Sequence, residues 1–187
     1  MWLNKPHEVT ALIVDGANTY EASKKVGYMI DYAKVLKLFK PQQAVYLTAL
    51  PEKDMNKPNG LFKMIDFINF NGYTLDTKPM KIINGVEVKK EGNMDVEICL
   101  AMVEACSWAN HIVLFSGDGD FRSAVKYAQR HGIRVTVVSA LKSQPWPIVA
   151  DELRRQANTF FDLCDPEFRD KIVMDRELRK RDFLEGP

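Results

Sequence analysis

The feature that most constrains this chain is a repeated switch between strand-length apolar runs and longer segments with helical spacing. Val9 to Val14 (VTALIV), Ala44 to Leu50 (AVYLTAL), His111 to Phe115 (HIVLF) and Ile133 to Ala140 (IRVTVVSA) are nearly continuous β-favouring stretches. The first of these, apolar with almost no interruption, suits a strand buried on both faces of a parallel sheet. Tyr73 to Lys78 (YTLDTK) reads as a further strand, and Thr159 to Leu163 as a last one at an edge. Between them, Ile30, Val35, Leu38 and Phe39 predict a helix from Tyr28 to Phe39 that Pro41 stops. Leu61, Ile65 and Ile68 predict another, ended by Asn71-Gly72. A third opens at Gly92-Asn93 and runs to about Trp108, with Val96, Leu100, Val103 and Ser107 at helical spacing. A fourth runs from Phe121 to Arg130, closed by Gly132, and a short one falls between Pro147 and Gln156. Strands that alternate with helices need right-handed crossovers, so the expected architecture is a three-layer α/β sandwich around a central, mainly parallel sheet. Lys81 to Lys89 (KIINGVEVK) departs from the rhythm: Asn84-Gly85 between short alternating segments predicts a small β-hairpin insertion.

A chain of 187 residues has room for one well-buried core. We assign residues 1–164 to that α/β domain and 165–187 to a charged helical tail, suited to shielding a sheet edge or to pairing in a homodimer. With 46% hydrophobic and 27% charged residues, the composition points away from disorder, and no apolar run reaches membrane-spanning length. The start, MWLNKPHEVTALIV, has no secretory signal pattern, so a cytoplasmic location is the default expectation. Cys99, Cys106 and Cys164 are odd in number and lack metal-binding spacing, which argues against a disulfide framework and against zinc. His7, His111 and His131 are scattered. A net charge of +1 means that any affinity for polyanions must come from local clustering.

The acidic residues collect where the strands end. Ligands of open parallel sheets bind beyond the carboxyl ends of the strands. Asp15 follows the first apolar run, Asp118 and Asp120 follow HIVLF in LFSGDGDF, and Asp95 opens the helix that leads into HIVLF. If the strands bearing Asp15 and Asp118 are neighbours, their ends lie about 4.8 Å apart. Two carboxylates at about 5 Å repel by roughly 3 kcal/mol at an effective dielectric near 20, so a compensating charge is expected. An all-oxygen ligand set suits a hard cation such as Mg²⁺ or Mn²⁺. Gly117 and Gly119 let the loop bend and keep its face clear. Each acid taken alone has a simpler reading as a turn residue or a helix cap. Their coincidence at one edge is what favours the metal.

Three segments together, LIVDGANTY, GNMDVEICLAM and IVLFSGDGDFRSAVKYAQRHGIRVTVVSA, resemble the NYN domain of the LabA-like (DUF88) branch within the PIN-like nuclease group. The likeness covers about Val9 to Leu163, with Ala157-Asn158 standing where relatives carry Ala-Asp. It implies a PIN-like sandwich in which Asp15, Asp95, Asp118 and Asp120 hold Mg²⁺ or Mn²⁺ and serve catalysis with Asn18, activating water for in-line attack on RNA phosphodiesters. Ser116 precedes the acidic loop as in relatives. Lys89, Lys90 and Arg122 are placed to meet phosphates of single-stranded RNA, as is Lys142 beyond IRVTVVSA. Trp146 in QPWP offers an aromatic face to a base, although packing is the commoner role of a loop tryptophan.

Two rival readings accompany the ribonuclease. Haloacid-dehalogenase-like phosphatases also follow their first strand with an aspartate, but they need a second two positions on, where this chain has Ala17. A non-catalytic module that binds RNA or a protein partner on the same fold is the other. Cleavage of RNA with added metal, against binding without cleavage, separates it from the enzyme.

Overall fold

The computed structural model describes residues 8–50, 60–83, 86–88 and 93–175. Six parallel strands form the central sheet in the order β3-β2-β1-β6-β7-β8. These are β1 (Thr10–Asp15), β2 (Gln43–Leu50), β3 (Thr74–Pro79), β6 (His111–Phe115), β7 (Arg134–Ser139) and β8 (Thr159–Asp162). The short strands β4 (Lys81–Ile83) and β5 (Val86–Val88) pair antiparallel as a separate hairpin, as expected; its turn, Asn84-Gly85, lies outside the described residues.

Every residue of β1 is buried, because both faces of the strand are covered. Side chains alternate across a strand. Leu12 and Val14 enter a core with Val35, Phe39, Ile68 and Phe115, whereas Ala11 and Ile13 enter another with Ile98, Met102, Val125 and Val137. The first core is closed by α1 (Gly16–Val26), α2 (Tyr32–Phe39), α3 (Gly60–Phe70) and α7 (Pro166–Ile172); the second by α4 (Asp95–Ala105), α5 (Arg122–Arg130) and α6 (Asp151–Gln156). The three layers anticipated from the alternation are therefore present, and the main sheet is wholly parallel.

Four details depart from the sequence reading. Helix α1 was not anticipated, because its inward residues Gly16, Thr19, Ala22 and Ser23 are small or polar and leave no apolar period. Gly16 is required there: a Cβ would sit 2.6 Å from the Tyr46 ring. The Tyr28–Phe39 helix begins only at Tyr32, where Asp31 caps it by accepting from Ala33 and Lys34 N–H at 3.0 Å. Helix α4 ends at Ala105, not near Trp108, and it buries Ile98, Met102 and Ala105 while Val96, Leu100 and Val103 face outward. Helix α7, in the segment assigned as a charged helical tail, buries Phe168 and Ile172 in the first core.

Under the amino ends of the strands, the His111 imidazole is buried beside Thr10 and Thr136. Its Nδ1 lies 2.7 Å from Glu8, whose charge is shared with Arg134, and its Nε2 lies 2.8 Å from the Thr136 hydroxyl. This assigns the ring proton to Nδ1. Burial pushes the imidazole from 6.5 down to about 4. As pH falls, the unfolded chain takes up this proton first. The stabilisation is thus complete above about 6.5 and is lost as pH falls towards 4. We expect His111 to contribute a loss of up to about 2 kcal/mol across that window, reduced by the attraction of the Glu8 carboxylate for the charged ring. Urea denaturation at a series of pH values should show it, with a shallower slope in His111→Gln.

Candidate metal centre

The site begins with strand pairing. Val14 of β1 is level with Phe115 of β6, so the next residues, Asp15 and Ser116, leave the sheet side by side. The Ser116 hydroxyl donates to Asp15 Oδ2 at 2.9 Å, and Asp15 Oδ1 accepts from the Asn18 N–H at 3.1 Å. That second bond makes Asp15 the N-cap of α1. Asn18 returns the support: its Oδ1 accepts from the Gly117 N–H at 2.8 Å. Ser116 Oγ also accepts from the Asp118 N–H at 3.2 Å. Two loops from distant parts of the chain are thereby joined by side chains.

The loop after β6 turns into a short 3-10 segment, Gly119–Phe121, capped by Asp118, which accepts from the Asp120 N–H at 2.9 Å. Gly117 owes its identity to close packing. A Cβ there would lie 2.5 Å from Ser139 Oγ and 2.7 Å from the Ile148 carbonyl oxygen. On the far side of Gly117, its carbonyl accepts from the Ala150 N–H at 2.8 Å, tying in the segment that carries Trp146. Asp95, in the first turn of α4, completes the approach; Asn93 accepts from its N–H at 2.9 Å and donates to its carboxylate.

One carboxylate oxygen from each of Asp95, Asp118 and Asp120 lies within 4.8 Å of the other two. Asp15 stands deeper, 7% exposed, and is held by Ser116 and Asn18. Burial raises its pKa; the bonds from Asn18 and Ser116 counter this, and the charges of Asp95 and Asp118 raise it further. Burial likewise raises Asp95, countered by Asn93 and reinforced by Asp118, Asp120 and Glu97. Four acids thus share one electrostatic neighbourhood at the carboxyl edge of the sheet. Three oxygens at ligand spacing, with no imidazole or thiolate among them, fit a hard divalent cation.

Other residues singled out in the sequence fall as follows. Ser116 is buried, so its role is to brace Asp15 and Asp118 rather than to face a ligand. Arg122 is exposed, one residue past the 3-10 segment. Lys89 and Lys90 lie outside the described residues. Trp146 is 73% exposed, and Lys25 reaches its carbonyl oxygen at 3.4 Å. Sequence reasoning overlooked Asn93 as the brace of Asp95; an amide two positions before the acid at a helix start was its only signal.

The NYN domain model matches residues 9–164. The chain belongs to the NYN domain family. Its similarity to the low amplitude and bright protein LabA of Synechococcus elongatus is 31% identity over 182 residues, covering 95% of this chain and 93% of that one. The fold also matches a crystal structure of a protein of unknown function from Vibrio parahaemolyticus, with TM-score 0.71 and 22% identity over 92% of this chain and all of that one. The matched NYN region starts just before β1 and ends just after β8, so it contains every residue of the acidic site. Among the described residues, no helix is long and apolar enough to cross a membrane.

Gly117→Ala tests the packing that sets the acidic loop. Its Cβ would meet a backbone carbonyl, so we expect a loss of about 1–3 kcal/mol in stability. Mn²⁺ affinity should fall with it, read by electron paramagnetic resonance of free Mn²⁺ and by thermal denaturation.

Proposed function

We infer that this NYN domain is a divalent-metal-dependent ribonuclease. The observation that carries this reading is the convergence of Asp95, Asp118 and Asp120 at the carboxyl edge, with buried Asp15 close enough to feel the charges of Asp95 and Asp118. Like charges gathered this closely are costly unless a cation joins them. Asp95, Asp118 and Asp120 would hold Mg²⁺ or Mn²⁺, with Asp15 as a further ligand or as acceptor for the inner side. When bound, such an ion supplies a nucleophile at neutral pH and offsets charge on a phosphoryl group.

The residues of the chain divide the remaining work. Ser116 and Asn18 fix the carboxylate of Asp15 and the backbone of the acidic loop, so the ligand geometry is set before substrate arrives. Arg122, exposed beside the loop, is placed to meet a phosphate. Trp146, exposed on the segment bonded to Gly117, offers a stacking surface suited to an unpaired base. Together these features favour single-stranded RNA, whose bases are free to stack.

Purified protein should cleave single-stranded RNA with Mn²⁺ or Mg²⁺ and stop with chelator. Asp118→Asn and Asp95→Asn should each lower the rate at least about 100-fold. Asn18→Ala, which removes a brace, should cost about 10–100-fold. Single-turnover assays on labelled RNA measure all three. RNA binding without cleavage under either metal would instead establish a recognition module, and cleavage that persists in both aspartate variants would remove the assignment.

A further inference from the structure

Helix α4 carries apolar residues on nearly all sides, a pattern expected of a helix covered all round. Ile98, Met102 and Ala105 meet the sheet, but the opposite stripe is open: Val96 is 65% exposed, Leu100 61% and Val103 41%. The stripe has flanks of opposite charge. On the β2 side, Glu97 pairs with Lys78 of β3, and Glu104 borders a cleft with Gln43, Val45 and Trp108. On the other side α4 packs against α5, whose exposed residues include Arg122, Lys126 and Arg130.

The heights of these charges match. Both helices start at the acidic site, where Asp95 and Asp120 share the trio, and both run towards the amino edge to feed β6 and β7. At about 1.5 Å per residue, Glu97 and Arg122 each lie about 3 Å along from those aspartates. Glu104 lies about 13.5 Å along α4 from Asp95, and Arg130 about 12 Å along α5 from Arg122 at its start.

We propose that the outer face of α4 is a homodimer interface in which two copies pack with their α4 helices parallel about a two-fold axis. Such an axis, running along the helix, preserves height and exchanges flanks. It sets Glu104 of each copy against Arg130 of the other, around a centre of Val96, Leu100 and Val103. A two-fold axis perpendicular to the helix would instead set the glutamate flank against itself, which repulsion disfavours. A second copy is the occupant favoured because one surface supplies both halves of the charge pattern, as an isologous contact requires. Both acidic sites then open at the same end of the dimer. The inference stands apart from the ribonuclease reading, since it uses no metal and no substrate.

Sedimentation equilibrium on the full chain across micromolar concentrations should give a dimer. Leu100→Lys should weaken association at least about 100-fold, with circular dichroism and thermal midpoint unchanged because this side chain is exposed in the monomer. Glu104→Arg and Arg130→Glu should each weaken it about tenfold, and the double variant should restore it. A wild type that stays monomeric, a Leu100→Lys dimer as tight as wild type, or single variants that weaken association with no recovery in the double variant would each overturn the proposal.

Discussion

The pairing of β1 with β6 is the constraint from which the site follows. Parallel strands in register end together, and this register brings Asp15 level with Ser116. A slip of one residue would turn Asp15 away and send Leu12 and Val14 to the opposite core, because side chains alternate. The two buried cores therefore hold the register, and the register holds the carboxylates. Apolar packing on both faces of one strand is what makes a cluster of like charges possible at its end.

Two members of that cluster are also structural caps, and a third is braced by a neighbour. Asp15 caps α1, Asp118 caps the 3-10 segment, and Asn93 braces the start of α4 beside Asp95. Each bond satisfies a backbone N–H that the helix itself leaves unpaired. Capping and clustering of these acids are thus two aspects of one geometry: the bonds that end the loops also fix the carboxylates. Burial differs across the group. Asp15 is enclosed and fixed by two partners, whereas Asp120 is exposed to solvent, which screens its repulsion.

Much of this was legible in the sequence, for identifiable reasons. VTALIV and HIVLF announce buried parallel strands because nothing polar interrupts them, and an aspartate at the end of such a run has one edge to occupy. Of the four acids placed at that edge, Asp95, Asp118 and Asp120 come to ligand spacing, while Asp15 stands apart from that trio. Helix α1 was illegible because close packing against Tyr46 demands Gly16 and small neighbours, which erases apolar periodicity. The inner face of α4 was misassigned because a helix apolar on every side carries no directional signal. Val96, Leu100 and Val103 fit a 3.6-residue period as well as Ile98, Met102 and Ala105 do. The docking of α7 left little signal in the sequence, since only Phe168 and Ile172 among charged residues anchor it.

Helix α4 shows why such ambiguity is not noise. One helix holds three relationships at once: its first turn delivers Asp95 to the acidic trio, its inner stripe fills the core beneath Ile13 and Leu114, and its outer stripe stays apolar in water. The first two explain its position and half of its composition. Neither explains Leu100, since a polar residue at a 61% exposed site would leave both untouched and remove the cost of wetting an apolar side chain. Val96 and Val103 pose the same question on the same stripe, beside an acidic flank and a basic one at matching heights. A contact made by the stripe supplies the missing reason.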